Sequence, residues 1–380
     1  MARFLVVLVL LIAACGASSD AARMVGDSTA AATTTTVTST AATTTTTTTM
    51  PAAEGVVISP PGGLELYEFA GDKPFATLHE GIAMGVQFRS GDWLEVTDPC
   101  SNPAWILGSD VDLIPRAEPA PAGPGFDLSN AVIVLDPGHG GRDWGAVGST
   151  GMRESQLNSD IAERARALLL AGNDINFTTG EVTSGMGYRG VEAVFLTRDP
   201  DGPEGGDFEA GLAYRAEVGN RSGADVFVSI HNNSVPQVDV ELPGTEVYYS
   251  VASTESRRLA AILYEEMLLS LSQFDVDWQG GRIKGARSRV DSETGEDYYG
   301  LLRRAETPAA IVEGAYLTNP EEEALMATDA FRIAYSEALY RGIVRFLTTT
   351  DPGSGINQPE RFVDDAGTAS TSSCQIPIQP

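Results

Sequence analysis

Between Asn130 and Leu347 the chain alternates short, continuously apolar runs with longer segments whose apolar residues recur at helical spacing. Ala131–Leu135 is apolar throughout, the mark of a strand covered on both faces. Leu157, Ile161, Ala165 and Leu168 then keep a helical period. Val194–Leu196 and Val226–Ile230 read as further buried strands, and Ser253–Leu271 as an amphipathic helix with Leu259, Ile262, Leu263 and Met267 on one side. Ala310–Val312 is the last apolar run. Asn319-Pro320-Glu321-Glu322 reads as an N-cap, a proline at the first helical position and a capping glutamate. Phe331, Tyr335, Ala338, Gly342 and Phe346 predict a closing helix. The pattern predicts an α/β domain over residues 130–348, a mostly parallel sheet with helices on both faces.

Upstream the character changes. Residues 1–15 open with a short positive start and an apolar run, Phe4 to Ala14, too short to span a bilayer and fitting a cleaved export signal. Ile12-Ala13-Ala14-Cys15 resembles a bacterial lipobox, which makes Cys15 a candidate for lipidation; a plain signal peptide that contains a cysteine is the alternative. Residues 16–54 collapse to Thr, Ala and Ser and read as a disordered linker with a coil span on the order of 30–40 Å. Residues 55–117 carry short alternating segments such as Leu64–Phe69, Trp93–Val96 and Ala104–Leu107, which predict a small β-barrel. This stretch resembles a bacterial SH3-like domain, a module that in its family often binds cell-wall peptide; Trp93 and Trp105 are read either as that surface or as core. Residues 118–129 read as a Pro/Ala/Gly linker and 349–380 as a disordered tail. Cys100 and Cys374 can pair in an oxidising compartment or remain free thiols, and the sequence leaves both open.

Twenty-five basic against 52 acidic residues give a formal net charge of −27. Such a surface repels nucleic acid and anionic lipid, so neither is expected as a direct partner. Membrane contact is expected only through a lipid anchor, placing the chain in the cell envelope as a monomer.

The chain has three histidines, and two stand directly after predicted strands: His139 in Asp136-Pro137-Gly138-His139-Gly140-Gly141 and His231 in Ser229-Ile230-His231-Asn232-Asn233. Carboxyl ends of strands in open α/β sheets are where sites assemble. Two histidines in equivalent places point to a metal, and a catalytic zinc keeps three protein ligands with a fourth position for water. Glu154, at the start of the first helix, is the third candidate; a carboxylate favoured there by the helix dipole is the alternative. Glu313 closes the last apolar strand, where an acid is costly unless paired or functional; a solvent-exposed strand end is the plainer reading.

The Asp136–Gly141 box, Glu154, the Ser229–Asn233 box and Val312–Asn319 together resemble the zinc-dependent N-acetylmuramoyl-L-alanine amidases of the third amidase family. The resemblance spans Asn130 to Leu347. It implies Zn2+ on His139, Glu154 and His231, with Glu313 catalytic. It implies peptidoglycan as substrate, cut between N-acetylmuramic acid and L-alanine of the stem peptide. Asp136 and Asn233 are candidates for orienting the histidine ligands by hydrogen bonds. Two other readings stay open: a zinc exopeptidase on a similar fold, and a wall-binding lipoprotein with an inactive hydrolase domain. A Gly/Thr-rich insertion at 172–192 departs from the family pattern. So does the short stretch Ser234–Pro243, where some relatives carry a long autoinhibitory insert. Arg282, Lys284, Arg287 and Arg289 form a basic cluster, read either as a solvated loop or as a contact for stem-peptide carboxylates.

Overall fold

The computed structural model describes residues 55–198, 208, 210–235, 244–279, 285–362 and 374–378. The leader with Cys15, the 16–54 segment, Arg282 and Lys284 lie outside the described residues.

Seven short strands come first: β1 (Gly55–Ile58), β2 (Leu64–Tyr67), β3 (Pro74–Leu78), β4 (Ala83–Ser90), β5 (Trp93–Thr97), β6 (Pro103–Leu107) and β7 (Ile114–Pro115). They form one antiparallel sheet in the order β3-β2-β6-β5-β4-β1-β7. Alternation along them sends Val56, Leu64, Leu66, Leu94, Val96 and Ile106 into a common core. Trp93 and Trp105 are half-buried and pack edge-on against Tyr67 and Phe88.

The second part begins with β8 (Val132–Pro137), every residue of which is buried. Then follow α1 (Glu154–Leu170), β9 (Asn173–Asn176), β10 (Glu181–Ser184), β11 (Ala193–Leu196), α2 (Leu212–Ser222) and β12 (Val226–Asn233). The chain continues through β13 (Glu246–Tyr249), α3 (Thr254–Leu271), β14 (Gly285–Arg287), β15 (Arg289–Asp291), α4 (Gly300–Arg304) and β16 (Ala309–Tyr316). It closes with α5 (Pro320–Met326), α6 (Asp329–Thr348) and β17 (Glu360–Phe362). The central sheet runs β11-β8-β12-β16-β13-β14. Its first four strands are mutually parallel, and β13 pairs antiparallel with β16. The expected mostly parallel α/β sheet is therefore present. Among the described residues no helix is long and apolar enough to cross a membrane.

The sheet's two faces are covered differently. Ile133, Leu135, Val228 and Val312 pack against α1, α3 and α6 on one side. On the other, Val132, Val134, Phe227 and Ile311 share a core with α2, α4 and the N-terminal strands. The β-rich segment is thus joined to the α/β part through α2, where Tyr214 donates its hydroxyl to the Ala83 carbonyl at 2.7 Å. This differs from a free linker at 118–129: Ala120 N–H donates to Asp225, and Leu128 is buried in a short 3-10 turn. Pro/Ala/Gly composition marks the absence of regular structure, but says nothing about whether an extended segment is pinned.

The expected disordered tail needs a similar correction. Strand β17 pairs with β15, Cys374 is disulfide-bonded to Cys100, and His79 N–H donates to the Pro377 carbonyl. The 172–192 insertion is the β9–β10 hairpin.

Candidate active site

Three parallel strand ends and one helix start meet at the carboxyl edge of the sheet. His139 follows β8, His231 lies near the end of β12, and Glu154 is the first residue of α1. The β12–β16 register sets Glu313 directly beside His231.

The histidine loop is built on close backbone approaches. A side chain at Gly138 would meet the His231 ring at 2.1 Å, and one at Gly145 would meet Glu154 Oε2 at 2.4 Å. His139 itself has φ +62°, the left-handed region that L-residues seldom occupy. Two buried arginines hold it there. Arg198 donates to the carbonyls of Pro137, Gly138 and Ser155 at 3.0, 3.0 and 2.7 Å. Arg215 donates to the carbonyls of Pro137 and His139 at 2.9 and 2.6 Å.

Asp136 therefore does not do what the sequence reading assigned to it. Its carboxylate accepts from Arg215, Thr197 and Ser229 and touches neither histidine. Burial works against its charge, but Arg215 and the two hydroxyls hold its carboxyl below the usual range. The orienting carboxylate is Asp143, whose Oδ2 lies 2.9 Å from His139 Nδ1. Asn233 is also displaced from its expected role: its side chain accepts from Ser234 N–H. The period-two alternation of β12 turns its neighbour Asn232 toward α1 instead, where its Nδ2 donates to Asn158 Oδ1 at 2.9 Å.

Glu154 is 3% exposed and fully engaged. Oε1 accepts from the Asn232 backbone N–H at 3.1 Å and Asn158 Nδ2 at 3.3 Å. It also lies 3.0 Å from His231 Nδ1. Oε2 accepts from Ala146 N–H at 2.8 Å and lies 3.1 Å from His139 Nε2. Burial would raise its pKa, yet the two histidines hold it well below the ordinary carboxylate range. Burial likewise opposes a charged His139, but Asp143 and Glu154 outweigh it and lift that ring to about 10.

Donor atoms of His139, Glu154 and His231 lie within 4.8 Å of one another. Two imidazole nitrogens and one carboxylate oxygen, with His139 held by Asp143 and Glu154 by Asn158 and Asn232, form a donor set that suits zinc. Asp143→Asn should weaken the metal affinity of this site about 10- to 100-fold without unfolding the chain. A competition titration against a chelator measures it, and wild-type affinity would deny Asp143 the orienting role.

Glu313 stands apart from that set. Its Oε2 is buried with no hydrogen-bond partner among the described residues. Burial, with the charges of Glu154 and Glu246, pushes its carboxyl up to about 8. It lines a cleft of about 410 Å³ together with His139 and His231. Within the basic cluster, Arg287 pairs with Glu246 and Glu360, while Arg289 donates to Tyr299 Oη at 2.8 Å. Neither is part of a freely solvated loop.

Residues 133–345, more than half of the chain, match the family model described as N-acetylmuramoyl-L-alanine amidase. The chain belongs to the N-acetylmuramoyl-L-alanine amidase family. Among the amidases it is similar to is the germination-specific N-acetylmuramoyl-L-alanine amidase of Bacillus subtilis. The two are 26% identical over 221 residues, which cover 58% of this chain and 81% of the relative. AmiA of Escherichia coli is 27% identical over 245 residues, 57% of this chain and 76% of the relative. Among solved structures, AmiC2 of Nostoc punctiforme aligns at 29% identity with a TM-score of 0.43, covering 57% of this chain and 97% of that one. Membership in the amidase family makes the chain a hydrolase of peptidoglycan.

Proposed function

We propose that this amidase hydrolyses the bond between the lactyl carbonyl of N-acetylmuramic acid and L-alanine with one zinc ion held by His139, Glu154 and His231. The observation that carries the reading is Glu313, half-buried and with an Oε2 that has no hydrogen-bond partner among the described residues, beside a converging His–Glu–His set. Zinc bound there would supply Lewis acidity toward the amide carbonyl and lower the pKa of water.

The protein's own contribution is positional and protolytic. Glu313 takes a proton from the attacking water and returns it to the leaving nitrogen of L-alanine. Burial raises the Glu313 carboxyl from the ordinary carboxylate range toward neutrality, which suits a group that both accepts and returns a proton. Asp143 keeps the His139 ring in place, and Asn158 and Asn232 keep the Glu154 carboxylate in place. All four chemistry-bearing residues share one site, which weighs against an inactive wall-binding module.

The metal-free protein offers a direct test. His139 is raised from an ordinary 6.5 to about 10, so it carries a proton at pH 7 that a metal must displace. Zinc loading therefore releases protons near neutral pH, and binding tightens as pH rises. Titration calorimetry in two buffers of different ionisation enthalpy measures that release. Loading without proton release would contradict the ligand assignment.

The remaining parts of the chain are read in keeping with this role. The N-terminal antiparallel sheet is taken as an SH3-like module that contacts the wall. Export is assigned to the 1–15 leader, with anchoring by a lipid on Cys15 and residues 16–54 as the tether. Cys15→Ser should shift the chain from the membrane fraction to the soluble one without changing catalysis on soluble fragments. An unchanged membrane fraction would remove the anchor from the account.

A further inference from the structure

The space around Glu313 has two lobes, which share His139, His231 and Glu313. One runs over Gly145 and Asn232–Ser234 and is the more open. The other runs toward α2 and α4 and is the more enclosed, walled by Leu212, Tyr299, Leu301 and both cysteines of the disulfide, Cys100 and Cys374. Under the amidase reading, on which this inference rests, the scissile amide lies where the lobes meet, and the two parts of the substrate diverge from there. The glycan strand continues in both directions from the muramoyl ring and needs an open path. The stem peptide is a short branch with a free end, which the walled lobe can hold. An apolar wall there suits the L-alanine methyl and the chain beyond it.

The disulfide brings two distant parts of the chain to that wall. Cys100 sits in the turn between β5 and β6, and this turn is docked on the start of α2 independently of the bridge. Gly211 N–H donates to the Pro99 carbonyl at 2.8 Å, and Tyr214 N–H donates to Ser101 Oγ at 3.1 Å. A side chain at Gly211 would meet Ser101 Oγ at 2.1 Å. Cys374 comes from 274 residues farther along. The other anchors of its segment lie past it: partly buried Ile376, the Pro377 carbonyl that accepts from His79 N–H at 3.1 Å, and Ile378 opposite Leu78. The covalent bond is therefore what ties Cys374 to the turn at the cleft. Both cysteines are half-buried, within reach of a small reductant. The zinc donors are held from elsewhere, His139 by Asp143 and Glu154 by Asn158 and Asn232.

We propose that the Cys100–Cys374 bridge is a redox-sensitive wall of a stem-peptide subsite. Intact, it keeps Cys374 against the walled lobe; reduced, it lets the tail withdraw, so affinity for the stem peptide falls while the metal centre persists.

The test uses the full chain with zinc and two soluble muramoyl substrates, one with a four-residue stem and one with L-alanine alone. The reductant is tris(2-carboxyethyl)phosphine, and thiol titration checks that the bridge is open. The phosphine is oxidised to its oxide by the oxygen of one water, whose two hydrogens end on the two sulfurs as the S–S bond breaks. Reduction should raise KM for the four-residue stem roughly three- to tenfold, the range expected for losing one apolar wall contact. KM for the L-alanine substrate should change by less than about twofold, and kcat for both should stay within about twofold, since the bridge touches no reacting atom. Zinc content should be unchanged. Cys374→Ser should reproduce the shift without reductant, and the phosphine should then add nothing. Should that variant fail to fold, reduction of the folded wild type carries the test. An unchanged KM on the opened bridge, an equal rise for both substrates, loss of zinc, or a phosphine effect on Cys374→Ser as large as on the wild type would overturn the proposal. Those outcomes leave the amidase reading standing. A wild type that releases no stem peptides would instead contradict the amidase reading itself.

Discussion

Glu313→Gln should lower kcat by about 10²-fold or more, the low end for general acid–base contributions, while zinc content and fold stay as in the wild type. The substitution keeps the size of the side chain and removes only its capacity to accept a proton. Because Glu313 Oε2 is buried without a hydrogen-bond partner among the described residues, the native acid is held there at a cost in stability that a neutral amide lowers. The melting temperature of Glu313→Gln should therefore equal or exceed that of the wild type. Rates on soluble muropeptides, metal analysis and a thermal melt check the three parts together. Near-normal hydrolysis would place the proton shuttle elsewhere. Loss of zinc would make Glu313 a ligand and require Glu154 to be reassigned.

His139→Ala should behave in the opposite way, losing metal and activity together. With one donor of three removed, zinc content should fall to a small fraction. The rate should drop by about 10³-fold or more, since Lewis-acid stabilisation is worth several kcal/mol. The fold should suffer too. Asp143 loses its imidazole partner, and buried Glu154 loses one of two histidines that stabilise its charge. Leaving such a group under-satisfied costs about 1–3 kcal/mol. Metal analysis beside the same rate assay decides the matter. A His139→Ala protein that retains full zinc would show that the ion is held elsewhere.

The contrast between these two variants also shows where sequence reading has reach. The fold class is legible because β8, β12 and β16 each open with an apolar run, Val132–Leu135, Val226–Val228 and Ala309–Val312, and a sheet covered on both faces has use for such runs. The pair His139 and His231 stands out because the chain has only three histidines, and both stand near the carboxyl ends of strands, His139 just past β8 and His231 within β12. Glu313 is legible as an acid directly after the apolar run Ala310–Val312, although β16 continues past it to Tyr316. Asp143 was open to view as a carboxylate four residues past His139 in the same glycine loop, and Asn158 as the residue one helical turn beyond Glu154. Asp136 and Asn233 lie about as near the histidines in sequence, and strand alternation and loop curvature decide which side chain reaches a ring.

Other features leave no local pattern at all. Arg198 and Arg215 support the His139 loop from about 60 and 76 positions away in sequence, and an arginine that caps carbonyls looks like any other arginine. The Cys100–Cys374 bridge spans a separation of 274 residues, so its pairing depends on how the N-terminal sheet docks on α2. That docking is a matter of the second core, shared by both parts of the chain, and hydrophobic periodicity cannot say which apolar face meets which.

The central claim is that zinc on His139, Glu154 and His231 drives amide hydrolysis at the muramoyl–L-alanine bond. It is tested most directly by digesting purified peptidoglycan with the protein in three states: as purified, stripped by a chelator, and stripped then reloaded with zinc. Mass spectrometry of the soluble products reads the bond that was cut. The account predicts free stem peptides beginning with an unblocked L-alanine and glycan strands left intact. It also predicts no release from the stripped protein and recovered release on reloading. Full release by a rigorously metal-free sample, or products cut within the peptide instead of at its junction with the sugar, would contradict it.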